Sequence, residues 1–281
     1  MNNFNIENQE KNITLVLGGT GKTGRRVAER LNELGVPVRI GSRSGTPKFD
    51  WEDQSTWATA LENVRAVYIA FYPDLAVPGA TAVISSFSDL AVKRGVSQLV
   101  LLSGRGEEEA QKCEQIVQNS GADWTIVRTS WFCQNFSEGF MQELILSGEV
   151  ALPIGSVKEP FIDVDDIAEV AVAALTEDGH SGQLYELTGP RLMTFTEAVE
   201  EIAKATNRKV QYMQISPEVF SSAMADQGVP SDAIWLMNYL FTTVLDGRNS
   251  YLTDGVKRAL GREPRDFSDY VQNAATNGAW Q

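Results

Sequence analysis

Histidine and cysteine are nearly missing from this chain: 281 residues contain one histidine, His180, and two cysteines, Cys113 and Cys133. None of the three has ligand spacing, which argues against a protein-built zinc site, so no metal is expected and the cysteines read as reduced, packed thiols. Positive charge is short as well. With 24 Lys and Arg against 37 Asp and Glu, the net charge is −13, which disfavours non-specific binding to nucleic acid. No apolar run approaches the roughly 18 residues of a membrane span, so no membrane partner is expected. The polar start MNNFNIENQEKN lacks the apolar centre of a secretory signal; residues 1–11 are expected to be a disordered leader, and the cytoplasm is the expected compartment. Internal repeats and low-complexity stretches are also missing.

What is present is concentrated in ITLVLGGTGKTG, residues 13–24. An apolar run from Ile13 to Leu17 meets glycines at 18, 21 and 24, and a helical pattern follows from about Lys22 to Leu34. Strand, glycine turn and helix form the layout that binds a dinucleotide. The glycines allow a tight turn close to a pyrophosphate, and the helix N-terminus presents N–H groups and partial positive charge to the same anion. The spacing is G-x-x-G-x-x-G. A nucleoside-triphosphate P-loop would need a glycine where Val16 stands, and is excluded.

The next strand, around Val36, Val38 and Ile40, ends near Gly41. An acid at this strand end would bond a ribose 2′-hydroxyl, but none occurs from Val36 to Pro47. Ser42, Arg43 and Ser44 stand there instead, with Lys48 beyond. A guanidinium and hydroxyls suit a 2′-phosphate, so the expected cofactor is NADP(H), with Lys22 and Arg25 adding positive charge.

Further strand and helix signals alternate through residue 128. They are a short strand at KFDW (48–51), a helix from Gln54 to Leu61, a strand at 65–71, a helix at 78–94, a strand at 97–103, a helix at 107–118 and a strand at 124–128. The expected fold is an α/β, Rossmann-type doubly wound parallel sheet over residues 12–155, with a smaller, mostly helical substrate lobe over 156–281 interleaved with it. That lobe is expected to form the far wall of a cleft. In it, Asp165 or Asp166 is expected to cap a helix running to Leu175, a strand is expected at 183–187, and Thr194 to Glu197 reads as a capping box. Asp163, Asp165 and Asp166 are read as capping acids, Glu107, Glu108 and Glu109 as a solvated helix start, and His180 as a surface turn residue.

Four segments carry a resemblance: LVLGGTGKTG (15–24), RTSWFCQNF (128–136), PFIDVDDIAEVAVAAL (160–175) and YELTGPRLMTFTEAVEEIAKATNRKV (185–210). Through them the chain resembles the NmrA-like, atypical short-chain dehydrogenases over about residues 12–215. Within that family it is similar to the group of fungal clavine (festuclavine and agroclavine) synthases and their bacterial relatives. The resemblance implies that Gly18, Thr20, Gly21, Lys22 and Thr23 hold the pyrophosphate, Ser42 and Arg43 the 2′-phosphate, and that Asp50 lies near the adenine. It places Phe71, Tyr72 and Pro73 beside the inner ribose and nicotinamide, Ser103 at the nicotinamide ring, and Trp131, Phe132 and Asn135 on the substrate side. Ser103, Tyr72 and Trp131 are the expected catalytic set.

One departure bears on the chemistry. Short-chain dehydrogenases proper use Tyr-x-x-x-Lys as their acid, and no tyrosine of this chain has a lysine four residues later. Alcohol–ketone chemistry by that route is disfavoured, because the alkoxide would lack a positioned proton donor. An iminium ion becomes a neutral amine on hydride transfer without a proton, and a reduced quinone can take its proton from water. The expected activity is thus NADP(H)-dependent reduction of a small imine, iminium or quinone-type molecule. Tyr72, Trp131 and Phe132 could stack on a flat cationic substrate or pack in a core. Two alternatives stand beside it: a non-catalytic redox sensor acting through a protein partner, and an epimerase or isomerase that retains NADP. The chain is expected to be a monomer or homodimer.

Overall fold

A computed structural model describes residues 12–281; the expected leader, residues 1–11, lies outside the described residues. The strands are β1 (Ile13–Leu17), β2 (Val38–Gly41), β3 (Val64–Ile69), β4 (Gln98–Gly104), β5 (Asp123–Thr129), β6 (Glu149–Leu152), β7 (Lys158–Glu159), β8 (Gln183–Leu187), β9 (Met193–Thr194) and β10 (Gln211–Gln214). The helices are α1 (Lys22–Glu33), α2 (Trp57–Ala60), α3 (Ala80–Lys93), α4 (Glu108–Gln118), α5 (Phe140–Ser147), α6 (Val164–Thr176), α7 (Phe195–Thr206), α8 (Pro217–Asp226), α9 (Ser231–Tyr239), α10 (Gly255–Leu260) and α11 (Phe267–Thr276).

Six strands form one sheet in the order β2-β1-β3-β4-β5-β8, and β2, β1, β3 and β4 run parallel. The apolar runs behave as strands buried on both faces should: Leu15, Val16, Leu17, Val67, Ile69, Leu99 and Leu101 are wholly buried. α1 buries the stripe Thr23, Gly24, Val27, Ala28 and Leu31, as its spacing requires. Each fully buried Val or Leu contributes about 1.5–3 kcal/mol of transfer free energy.

The chain divides into two compact units. Among the described residues, the first comprises 12–128, Asp165–Tyr185 and Arg258–Gly261; the second comprises Thr129–Val164, Glu186–Lys257 and Arg262–Gln281. The two units interleave along the chain, and the first boundary between them falls after residue 128. Residues 129–155 join the second unit because their apolar side chains, Phe136, Met141, Ile145, Val150 and Leu152, pack in its core. α6, almost whole, returns to the first, where Asp165 meets Arg30 at 2.6 Å and Arg26 at 3.5 Å.

The second unit is helical but not wholly so. β6 pairs in parallel with β10, and β7 antiparallel with β9. Its core is a cluster of aromatic rings, Phe136, Phe161, Phe195 and Phe267, in mutual edge and tilted contact. Arg191 forks two carboxylates there, Glu201 on α7 at 2.7 and 2.9 Å and Asp266 at 2.8 and 2.9 Å. The Thr194–Glu197 capping box is formed.

Three local expectations are corrected. KFDW makes no strand: Asp50 forms only an isolated bridge with Asp53, and the amides of Phe49 and Asp50 go to Ser42 O and Thr56 Oγ1. Phe49 and Trp51 are drawn into an aromatic cluster with Trp57 and Phe87. Neither Asp165 nor Asp166 is the N-cap of α6, since both lie inside its first turn; Asp163 is the residue before the helix, and Gln134 braces that end, its Nε2 donating to Asp163 Oδ1 at 2.7 Å and its Oε1 accepting from Val164 N–H at 2.8 Å. His180 is buried, at 7% exposure, with Nδ1 at 2.8 Å from the Tyr185 hydroxyl and its carbonyl accepting from Thr125.

Candidate functional site

Parallel pairing sets the carboxyl ends of β1, β2, β3 and β4 along one edge of the first unit's sheet. Four expected binding segments follow those ends directly, so the topology groups them. The glycine turn leaves β1 with Gly18 at φ +67°, and Gly21 N–H returns to Gly18 O at 2.8 Å. Gly24 then passes so close that a Cβ there would lie 2.2 Å from Gly18 O. Gly21 is the N-cap of α1; no side chain caps the helix and its first turn holds no acid. Amides and dipole at that end suit a pyrophosphate. Thr20 and Gly21 are exposed and Lys22 half-buried, whereas Thr23 is buried, which leaves its backbone N–H as its means of meeting a phosphate.

Beyond β2, Ser42 is half-buried and Arg43 exposed. The guanidinium of Arg43 lies 5.9 Å from the ring centroid of Tyr72, in the loop after β3. Two segments that the sequence singled out separately thus meet. Tyr72 is 69% exposed and presents an open ring. Phe71 packs on Trp51, at 4.9 Å between centroids. Asp50 turns its carboxylate to Lys48, at 3.3 Å, and to the Glu52 amide, so its charge is compensated locally.

Ser103, near the end of β4, is buried, and its hydroxyl donates to Glu114 Oε1 at 2.6 Å. Arg128 Nε donates to the same oxygen at 2.9 Å, and Arg128 Nη2 to the other. The hydroxyl proton of Ser103 is therefore turned inward to a salt-bridged carboxylate. Glu114 escaped the sequence reading. The signal was its place at i, i+3, i+4, i+7 spacing with Ala110, Cys113 and Val117, the buried stripe of α4.

The solvated reading of the glutamate run fails at Glu107. Glu108 is exposed and Glu109 pairs with Lys112, but Glu107 is 8% exposed and hydrogen-bonded to Asp74. Burial first, and then the neighbouring charge of Asp74, pushes the Glu107 carboxyl well above the usual range.

In the second unit, Trp131, Phe132 and Asn135 lie around a short 3₁₀ turn, Cys133–Phe136. Its entry is fixed by Ile162 N–H donating to Trp131 O and Cys133 N–H to Ile162 O. The half-buried Trp131 ring packs against Phe195 and Phe241, at 5.8 and 5.5 Å. Cys113 and Cys133 are both buried thiols outside any disulfide.

Comparison with known proteins gives a consistent result. A protein family described as NAD(P)H-binding matches residues 18–178. An uncharacterized oxidoreductase, YesF, of Bacillus subtilis is 33% identical over 93% of this chain and 95% of its own length. Agroclavine dehydrogenase of Claviceps fusiformis is 31% identical over 92% of this chain and 96% of its own. Among solved structures, the NADPH-dependent quinone oxidoreductase QOR2 of Escherichia coli, complexed with NADPH, superposes with a TM-score of 0.78 at 20% identity, covering 93% of this chain and 99% of that one.

Proposed function

The chain belongs to the NAD(P)H-binding family, and we propose that within it the protein is an NADPH-dependent reductase of small unsaturated molecules of the iminium or quinone type. The observation that carries the reading is the sheet edge that groups the start of α1, which no side chain caps, with the Arg43–Tyr72 contact, in a chain lacking Tyr-x-x-x-Lys. Gly24 supports the cofactor's fit, since any larger residue would fill the turn that must approach a pyrophosphate. NADPH, when bound, supplies hydride from its nicotinamide.

The chain's own groups have four tasks. Amides of Gly18 to Thr23, with Lys22, bind the pyrophosphate, and Ser42 and Arg43 bind the 2′-phosphate. Phe71, Tyr72 and Pro73 line the inner part of the cofactor, with Asp50 towards the adenine. Ser103 supports the nicotinamide end through its fixed bond to Glu114. Trp131, Phe132 and Asn135 belong to the substrate side, and aromatic faces favour a flat, positively charged guest. The main contribution to rate is then alignment and exclusion of water rather than acid catalysis. Relatives named for agroclavine and quinone chemistry support this class of acceptor.

The test is NADPH absorbance with panels of quinones and cyclic iminium compounds. Oxidation of NADPH with at least one panel is expected. Tight NADPH binding without turnover on either panel would instead favour a redox sensor.

A further inference from the structure

Two carboxyl groups lie together at the edge of the first unit's sheet. Glu107 is the residue preceding α4, and its carboxyl folds back over Gly104 at the end of β4. A Cβ on Gly104 would meet Glu107 Oε1 at 2.1 Å and Oε2 at 2.7 Å, so glycine is what leaves room for the carboxyl. Asp74 anchors the loop after β3, its Oδ1 accepting from Ala76 N–H at 2.8 Å. The two side chains hydrogen-bond to each other. Ionised carboxylates only accept, so one of the two must keep a proton. Glu107 is the more deeply buried and is its holder. Other charges bear on the pair: Glu114 of α4 adds negative charge but is tied to Arg128 of β5, and Arg105 is buried in the same turn.

We propose that this shared proton is a latch: the Glu107–Asp74 hydrogen bond fastens the loop carrying Phe71, Tyr72 and Pro73 to the end of β4 and so positions the cofactor edge. Glu107 is then a positioning residue, not a catalytic one. Loss of the proton sets two like charges together and frees the loop, while adding negative charge near an anionic ligand. The proposal rests on the reading of this edge as the NADPH site.

The test combines two measurements on the full chain, one with cofactor and one without. Calorimetry of NADPH and NADH binding from about pH 6 to about pH 9 should show both affinities falling on the alkaline side, by roughly tenfold per pH unit once the pair titrates. Using both cofactors separates the latch from titration of the 2′-phosphate. Glu107→Gln keeps a donor for Asp74 and should bind with no alkaline loss. Gly104→Ala displaces the carboxyl without changing any charge and should bind weakly at every pH. Without cofactor, the infrared stretch of a protonated carboxyl should vanish in E107Q. Amide exchange over residues 71–77 should rise in G104A, and at high pH in the parent but not in E107Q. The same alkaline limb in E107Q as in the parent, or an unchanged carboxyl band, would overturn the latch. Failure to bind NADPH at any pH would overturn the functional reading, and the infrared and exchange results would still decide the latch.

Discussion

Replacing Arg128 by alanine should destabilise the first unit sharply. Its partner Glu114 is 3% exposed at the side chain and is held by two bonds from Arg128 and one from Ser103. Removing the guanidinium leaves a carboxylate in the interior with one neutral donor. Breaking such a pair costs about 3–5 kcal/mol. Because Arg128 is 20% exposed, water can partly replace it, and the lower end, about 3 kcal/mol, applies. That is roughly a 150-fold change in the folding equilibrium. The assay is urea unfolding at neutral pH, analysed for the transition of the first unit. The double variant Arg128→Met with Glu114→Leu should recover most of the loss, since it removes both charges together. A cost for R128A below about 1 kcal/mol, the range of exposed ion pairs, would refute the argument that this pair is a buried one.

Other consequences are equally specific. Gly24→Ala should weaken NADPH binding by roughly tenfold or more, an overpacking cost, because the new Cβ meets the backbone oxygen of Gly18 at 2.2 Å; Gly21→Ala, whose nearest contact would be 3.2 Å, should do much less, and equal effects by calorimetry would contradict the turn geometry. Arg191 holds the Asp266 carboxyl down to about 2, from an ordinary value of 3.8. A lowered folded-state value gives stability that is present above the unfolded pKa and lost as pH falls from about 4 to about 2. After allowance for solvent screening this contributes about 1 kcal/mol, and Asp266→Asn should remove that part of the acid limb in urea titrations; an unchanged acid limb would count against it. Burial, with Glu109 and Glu114 adding to it, pushes the Cys113 thiol up to about 12, and Cys133 is likewise buried, so an aromatic disulfide reagent should label neither until the protein unfolds; rapid labelling of the native chain would show the packing to be wrong.

Much of the first unit could be read directly because its signals are local. Parallel strands buried on both faces appear as apolar runs, as at 66–71 and 99–102, and the glycine turn is marked by its spacing. Ser42 and Arg43 could be singled out for a similar reason, since the chemistry expected at a strand end follows from position along the chain. What stayed hidden depends on distant partners. Nothing near Glu107 signals Asp74, and nothing near His180 marks it as buried apart from Tyr185, five residues on and itself an ambiguous side chain. KFDW looks like a strand, but Phe49 and Trp51 pack against Trp57 and Phe87, partners that the local pattern does not announce. β6 and β10 are four-residue strands far apart in sequence, so neither announces the other. The resemblance to a known family supplied the roles expected of Phe71, Ser103 and Asn135, which residue chemistry alone would not have suggested.

Calorimetry of NADPH and NADH with the parent protein and Arg43→Ala bears most directly on the central claim. The account predicts that the parent binds NADPH more tightly than NADH, and that R43A loses about 1.5–3 kcal/mol of NADPH affinity for each charge-assisted contact removed, roughly 10- to 150-fold, while NADH is little changed. No measurable NADPH binding by the parent, or equal loss of both cofactors in R43A, would contradict it.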